Sequence, residues 1–493
     1  MSPAYRLEAL PYRADTAALF EPVAGEPWAV FLDSNAGCAA GGRWDIVALA
    51  PRVTLRTVGP LTEIRSGKRT HRSTADPIAL LRDALGADLG PAPGPALPFV
   101  GGAIGWFGYD LARRFERLGP FSRLPAGAPQ MAVGVYDWAL VIDHQARASW
   151  LVGRGDPADP PCRRLRRLAE GTEAAPARTF RATGPLVTDL DWAAYGERFA
   201  AVQRFIRAGD CYQVNLARRW QVPVAGCPWG AYRRLKALSP APFAAYLNTP
   251  GVQVLSASPE RFLAVRDGRV ETRPIKGTAA RDPDSARDRA LAAALAASPK
   301  DRAENLMIVD LLRNDLGRCC ETGSVKVPEL FKVESYPGVH HLVSTVTGRL
   351  RADADALSLL RAAFPGGSIT GAPKIRTMQI IDALEGAPRG VYCGAIGYVG
   401  FDGAMDTSIA IRTAGVAGGV LDFRAGGGLI ADSDCDAEWA EIGLKARAML
   451  ELAAELGAAE SRPAAADAYA TGSRPADATA RMRRGPQQRA AAD

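Results

Sequence analysis

Histidine is almost missing from this chain, with four in 493 residues, and no two cysteines form a CxxC pair. That scarcity argues against a zinc site and against a disulfide framework. The eight cysteines (Cys38, Cys162, Cys211, Cys227, Cys319, Cys320, Cys393 and Cys435) fit a reducing cytosol better. No apolar run approaches membrane-spanning length. The N-terminus carries Arg6, Glu8, Arg13 and Asp15 where a secretory signal would need an apolar core. A soluble, cytoplasmic protein is expected. A strong charge imbalance is also lacking: 60 Lys+Arg against 53 Asp+Glu leave +7, and the excess is scattered. The densest basic cluster, Arg163-Arg164-Leu165-Arg166-Arg167, reads as a solvated helix face, so no nucleic-acid partner is expected.

What is present is a globular composition, 47% hydrophobic and 23% charged, long enough for two or three domains or one large two-layer unit. Residues 1–153 alternate short apolar runs with turn signals. Trp28–Leu32, Asp45–Ala50, Val53–Val58 and Trp138–Asp143 read as strands. Gly101-Gly102 and Gly105 read as close-packing glycines. Residues 154–185 form a polar, proline-bearing linker with one short helix. Residues 186–457 form a second region, with a helix over Ala194–Ala208, another near 299–316 and a terminal one near 436–456. Residues 458–493 are Ala/Arg/Pro-rich with almost no large apolar residue, and are expected to be disordered.

The sharpest motif is Pro274-Ile275-Lys276-Gly277-Thr278. Asp267-Gly268 marks a two-residue hairpin turn between strands Arg261–Val265 and Val270–Arg273. If Arg266 and Arg269 flank that turn, Glu260 falls opposite Ile275, with Lys276 diagonal to it. A regular ladder would place the two side chains on opposite faces. Pro259, Pro274 and Gly277 can break the ladder and bring them together. Taken alone, this is also what a surface ion pair at a hairpin end looks like.

Two helices each carry carboxylates three apart, hence on one face. In the first, Ser298 caps and Pro299 opens a helix whose expected core face is Leu306, Val309, Leu312 and Leu316. Asp301 and Glu304 lie in its first turns, and Asp301 fits a capping box with Ser298. In the second, Glu438 and Glu441 precede Lys445, and Glu441–Lys445 also fits an ordinary ion pair. Together the pairs suit a hard cation such as magnesium. Gly426-Gly427-Gly428 reads as an anion-binding nest or as a loose loop. Arg412 can fork to a carboxylate. Gly366–Lys374 is a glycine-rich turn without Walker spacing. His340-His341, alone, fits packed histidines.

These segments resemble the chorismate-utilising enzymes, most closely their aminodeoxychorismate branch. The matching stretches are Gly209–Leu216, Ser258–Phe262, Thr272–Thr278, Asp301–Asp315, His340–Thr345, Phe364–Lys374, Met405–Thr413 and Ala425–Ser433. The likeness covers nearly the whole chain except the linker and tail, including Gly101–Phe115 and Met131–His144. It implies an α+β fold, with two antiparallel sheets forming a β-sandwich core and helices packed outside. It implies that Lys276, where anthranilate and isochorismate synthases carry alanine, attacks chorismate, and that Glu260 is the general acid and base. It implies Mg2+ held by Glu304 and Glu441, with Asp301 and Glu438 outside them. His341, Thr370, Tyr398, Arg412, Gly426, Gly428 and Lys445 fall on its substrate-binding positions. Ser34, Arg43, Trp44, Pro242, Phe243 and Ala244 match the tryptophan pocket of relatives, although Gly41-Gly42 and Ala244 depart from the polar or bulkier residues seen there. No cysteine sits in a glycine-rich nucleophile elbow, so the resemblance implies a separate class I glutaminase partner that supplies ammonia. The rival readings are anthranilate or isochorismate synthesis, which Lys276 opposes, and a tryptophan-sensing scaffold subunit, which would need none of Glu260, Lys276, Glu304 and Glu441.

Overall fold

The computed structural model describes residues 5–36, 42–86, 90, 96–118, 127–336 and 338–458, so all of the expected tail but its first residue lies outside the described residues. The expected strands form at Val30–Asp33, Trp44–Ala48, Val53–Val58 and Trp138–Asp143. Among the described residues the strands make two large antiparallel sheets of 13 and 12 strands, with helices outside. Val30, Ile46, Val141 and Val254 of the first sheet face Ile104, Trp106, Ala132 and Ile396 of the second. That dry layer is the sandwich core expected from the resemblance. Two further cores lie between each sheet's outer face and its helices.

Strands from both ends of the chain share each sheet. Val30–Asp33 pairs with Phe243–Thr249 in the first, and Gly102–Phe107 pairs with Ala395–Gly400 in the second. The second junction needs glycine. A side chain at Gly102, at φ +141°, would drive into the Val399 carbonyl of the partner strand. Residues 154–185 hold the helix Pro160–Glu170 and the short strand Phe180–Ala182, which pairs with Gln213–Gly226. The arginine cluster lies on that helix, where Arg164 and Arg166 pair with Glu26, Glu173 and Glu8.

Helix Pro299–Gly317 packs on the second sheet, and helix Cys435–Glu455 packs on the first. Val309, Leu312 and Leu316 are buried as expected, but Leu306 is 45% exposed. Asn305 and Ile308 occupy the inward face in its place. Asn305 can be buried because Ser344 and the Leu342 carbonyl satisfy its amide. No helix among the described residues is long and apolar enough to cross a membrane. The seven cysteines among them are free.

Candidate active site

The hairpin register holds. Arg266 pairs with Arg269 across Asp267 and Gly268, both in the left-handed region. Beyond Pro274 the chain continues as strand Ile275–Ala280 along Val339–Arg349. Ile275 pairs with Val343 but Thr278 with His341, so one extra residue stands on the lysine strand. This is a β-bulge at Lys276-Gly277, with Gly277 at φ +91°. The bulge turns Lys276 out of ladder alternation and toward Glu260. Glu260 reaches Ile275 with its side chain, accepting from the Ile275 N–H.

Two neighbours hold the bulge. His341 is buried, and its Nδ1 lies 2.9 Å from Thr278 Oγ1. Burial, with Arg412 nearby, lowers its pKa to about 3, so its ring is neutral. Asp301 packs against Gly277, where a Cβ would stand 3.0 Å from its carboxyl carbon. Ser298 accepts from the Asp301 N–H at 3.3 Å. The reciprocal half of the capping box does not form, since the Ser298 N–H bonds the Leu295 carbonyl.

The glycine strand faces the lysine. Gly426–Gly428 is neither a nest nor a loop; it lies within strand Val420–Leu429, paired to Gln213–Gly226. Past Phe423 the other edge of this strand has no strand partner among the described residues. Its glycines make room for site side chains. A Cβ at Gly428 would collide with Gln213 Nε2 and stand 3.2 Å from Lys276 Nζ, and one at Gly427 would stand 2.8 Å from Glu438 Oε2. The Lys276 amine therefore sits between the two sheets.

Burial dominates the electrostatics here. Glu260 is 4% exposed. Burial raises its pKa to about 7, against the opposing pull of a hydrogen bond from Ser368 and the charges of Lys276 and Lys445. Burial pushes the Lys276 amine below its ordinary value, while Glu304 pulls the other way. Burial thus disfavours the charged form of both groups.

The four carboxylates meet unevenly. Glu304 is raised first by burial and then by Glu438 and Glu441, with Lys276 and Lys300 opposing. Burial pushes Glu441 up as well, but Lys445, at 2.6 Å, brings it below its ordinary value. Glu438 accepts from Ser433 Oγ at 2.8 Å and faces Lys300 at 3.4 Å. Among the described residues no three His, Cys, Asp or Glu side chains converge as a metal cage. Glu304, Glu438 and Glu441 nevertheless lie close enough to repel one another, and an all-oxygen donor set suits a hard cation.

Of the remaining expected residues, Lys445 also donates to the Gly426 carbonyl at 3.1 Å. Arg412, at φ +49°, is pushed down by burial alone, and it has no carboxylate partner among the described residues. Thr370 is fully buried, and its hydroxyl clamps the Gly366 carbonyl at 3.0 Å. Ser368, two residues earlier, is the member of that turn that reaches Glu260. Tyr398 lines a different space, a cavity of about 390 Å³ walled by Ser34, Arg43, Trp44, Pro242, Phe243 and Ala244. The six tryptophan-pocket positions therefore share one cavity, and Tyr398 belongs with them. Pro259 and Ile275 form part of its wall, one residue from Glu260 and Lys276.

Gln213 and Asn215 are site residues that the motifs do not single out. Both are nearly fully buried on one face of their strand. Both polar atoms of the Gln213 amide, and Oδ1 of Asn215, have no partner among the described residues. Their spacing of two, on a strand that leads into the glycine pairing, is the signal the chain offers for them.

The chain matches known proteins along most of its length. The chorismate binding enzyme model matches residues 36–451. "Aminodeoxychorismate synthase component 1" of Klebsiella aerogenes is 50% identical over 445 residues, covering 90% of this chain and 97% of that protein. "Anthranilate synthase component 1" of Pseudomonas putida is 36% identical, covering 89% and 92%. The crystal structure of anthranilate synthase component I from Streptococcus pneumoniae superposes with a TM-score of 0.72 at 31% identity, covering 83% of this chain and 93% of that one. A lysine bulge facing a buried glutamate, a glycine strand and two carboxylate-bearing helices thus lie within a match that spans most of the chain, and the chain belongs to the chorismate binding enzyme family.

Proposed function

We propose that the protein converts chorismate and ammonia to 4-amino-4-deoxychorismate, in 4-aminobenzoate and folate biosynthesis. The observation that carries this reading is the Lys276 amine, depressed by burial, beside Glu260 with a pKa of about 7. The neutral Lys276 amine attacks C2 of chorismate, and the ring double bonds shift. The C4–oxygen bond breaks as Glu260 donates its proton, and water leaves. Ammonia then adds at C4, the double bonds shift back, and the C2–nitrogen bond to Lys276 breaks. The Glu260 carboxylate takes the proton that the new amine sheds. Atoms balance: chorismate and ammonia give product and water.

Arg412, a buried guanidinium lacking a carboxylate partner among the described residues, supports recognition of a substrate carboxylate. Glu304 and Glu441 would hold magnesium, with Asp301 and Glu438 outside them. Bound there, the ion would neutralise a second substrate carboxylate. The 390 Å³ cavity supports a further reading: an aromatic amino acid such as tryptophan fits among Trp44, Phe243 and Tyr398. Ammonia would come from a glutaminase subunit, consistent with relatives named as component 1.

Lys276→Ala tests the reading. Wild type incubated with chorismate and magnesium, without ammonia, should gain a mass adduct on the Lys276 peptide. The variant should show no adduct and no ammonium-dependent product, while keeping its melting temperature. An alanine variant with wild-type turnover would sink the covalent route.

A further inference from the structure

Below the reacting groups lies an ion pair that no step above uses. Glu385 ends the helix Lys374–Glu385, and Arg389 follows four residues later. Both side chains are 1% exposed. Arg389 Nε and one terminal nitrogen donate to the two Glu385 oxygens at 2.9 and 2.6 Å. Its remaining reach is spent on backbone: one nitrogen donates to the Ile369 carbonyl at 3.0 Å and the other to the Asn215 carbonyl at 2.8 Å. Glu385 also accepts from the Ala217 N–H at 3.0 Å, and Arg424 stands 3.5 Å from it. Tyr109, from the first half of the chain, lies under the guanidinium at 4.7 Å.

Taking both charges out of water costs several kcal/mol per ion, and apolar side chains of the same volume often stabilise as well. A fork retained there is therefore poorly explained by stability. Its geometry explains it better. Ile369 lies beside Ser368, which hydrogen-bonds Glu260. Asn215 lies two residues from Gln213, which touches the space beside Lys276. The guanidinium lies beside the backbone bond from the Asn215 N–H to the Thr370 carbonyl, 2.8 Å, and the pairing continues where Gly371-Ala372 meets Val214 and Gln213.

We propose that Arg389, oriented by Glu385, is a positioning residue for the proton-transfer group: it locks the Gly366–Thr370 turn to the Gln213–Gly226 strand and so holds Ser368 against Glu260. This rests on the reading of Glu260 as the proton donor. The groups that face Glu260 are Ser368, Lys276, Lys445 and the Ile275 N–H. Only the Ser368 contact runs through the turn that Arg389 holds.

The test is the pH profile of adduct formation with chorismate and magnesium, without ammonia. Its rate should fall as pH rises through a midpoint set by Glu260, because the protonated carboxyl is the donor. Arg389→Lys keeps the charge but cannot make the fork. Its kcat for the ammonium reaction should fall by about 10- to 100-fold with little change in KM for chorismate. Its profile midpoint should move to higher pH, because a donor that stabilises the Glu260 carboxylate is lost. Ser368→Ala leaves the ion pair intact and should reproduce the midpoint shift. The double variant should shift no further than either single one. If Arg389→Lys folds poorly, Glu385→Gln takes its place: without the carboxylate that orients Arg389 the midpoint should move to higher pH, as in Ser368→Ala, and a wild-type midpoint in Glu385→Gln would overturn the role. Lower melting temperatures with wild-type kcat and midpoints in Arg389→Lys and Ser368→Ala would overturn the proposal. Glu260→Gln separates the two readings. If it keeps wild-type activity, the proton-donor reading fails; if it is inactive while the other profiles stay put, only the positioning role fails.

Discussion

Glu260→Gln should harm activity and, at alkaline pH, strengthen the fold. The buried carboxyl is 4% exposed, and burial raises its pKa from 4.5 to about 7. Below pH 4.5 the group is neutral in both folded and unfolded chains, and glutamine mimics it closely. Between pH 4.5 and 7 the unfolded chain releases its proton while the folded protein keeps it. Stability that is fully present below 4.5 is therefore lost as pH rises, and the loss is complete above about 7. At about 1.4 kcal/mol per pH unit over this interval, the loss is about 3 kcal/mol. Glutamine does not titrate, so the variant should gain on wild type by that amount between pH 4.5 and pH 8. For a chain of this size the gain is about 3 °C in Tm. Turnover should fall by about 10²- to 10⁴-fold, the usual contribution of a placed proton donor. The assays are thermal denaturation of both proteins at pH 5 and pH 8, and ammonium-dependent product formation. A Tm difference that does not change between the two pH values would refute a buried carboxyl titrating near 7. Retained turnover would refute its chemical role.

Gly428→Ala needs no forbidden backbone angle, yet its methyl would meet Gln213 and crowd Lys276 Nζ at 3.2 Å. It should lower kcat by roughly 100-fold while its far-UV spectrum stays that of wild type; an active variant would show that the lysine does not work in this space. Glu304→Ala and Glu441→Ala should each raise the magnesium concentration for half-maximal activity by about 10-fold or more. Asp301→Ala should cost only about 0.5 kcal/mol at the helix start, so equal small effects in all three titrations would remove the metal from these helices. Ammonium should support turnover by the isolated chain, and glutamine should not until a class I glutaminase subunit is added. Product from glutamine with the purified chain alone would overturn the two-subunit reading.

Much of the site is legible in the sequence because its signals are local. Asp267-Gly268 sets the hairpin register within two residues, so the order of the chain alone brings Glu260 opposite Ile275 and next to Lys276, while the bulge against Val339–Arg349 aims the lysine. Ser298-Pro299 fixes the start of a helix and, with it, which carboxylates share a face. The lysine in Pro-Ile-Lys-Gly-Thr is local too, and the proposed amine chemistry can be read from its identity alone.

Other features are written only in tertiary contacts. Gly426–Gly428 has no local preference, and it becomes strand because Asn215, Leu216 and Ala217 offer it a ladder from more than 200 residues away. Leu306 fits a helical apolar stripe, but the neighbouring strand accepts the satisfied amide of Asn305 in its place. That Tyr398 lines the 390 Å³ cavity and that the Thr370 hydroxyl bonds the Gly366 carbonyl follow from how the two sheets pack. Arg389 joins Asn215 across 174 positions. The sequence determined which groups can do the chemistry, because their identity and near neighbours are fixed along the chain. Their pKa values, their enclosure and their mutual aim came from the tertiary structure, because burial and electrostatic coupling depend on distances that only folding creates.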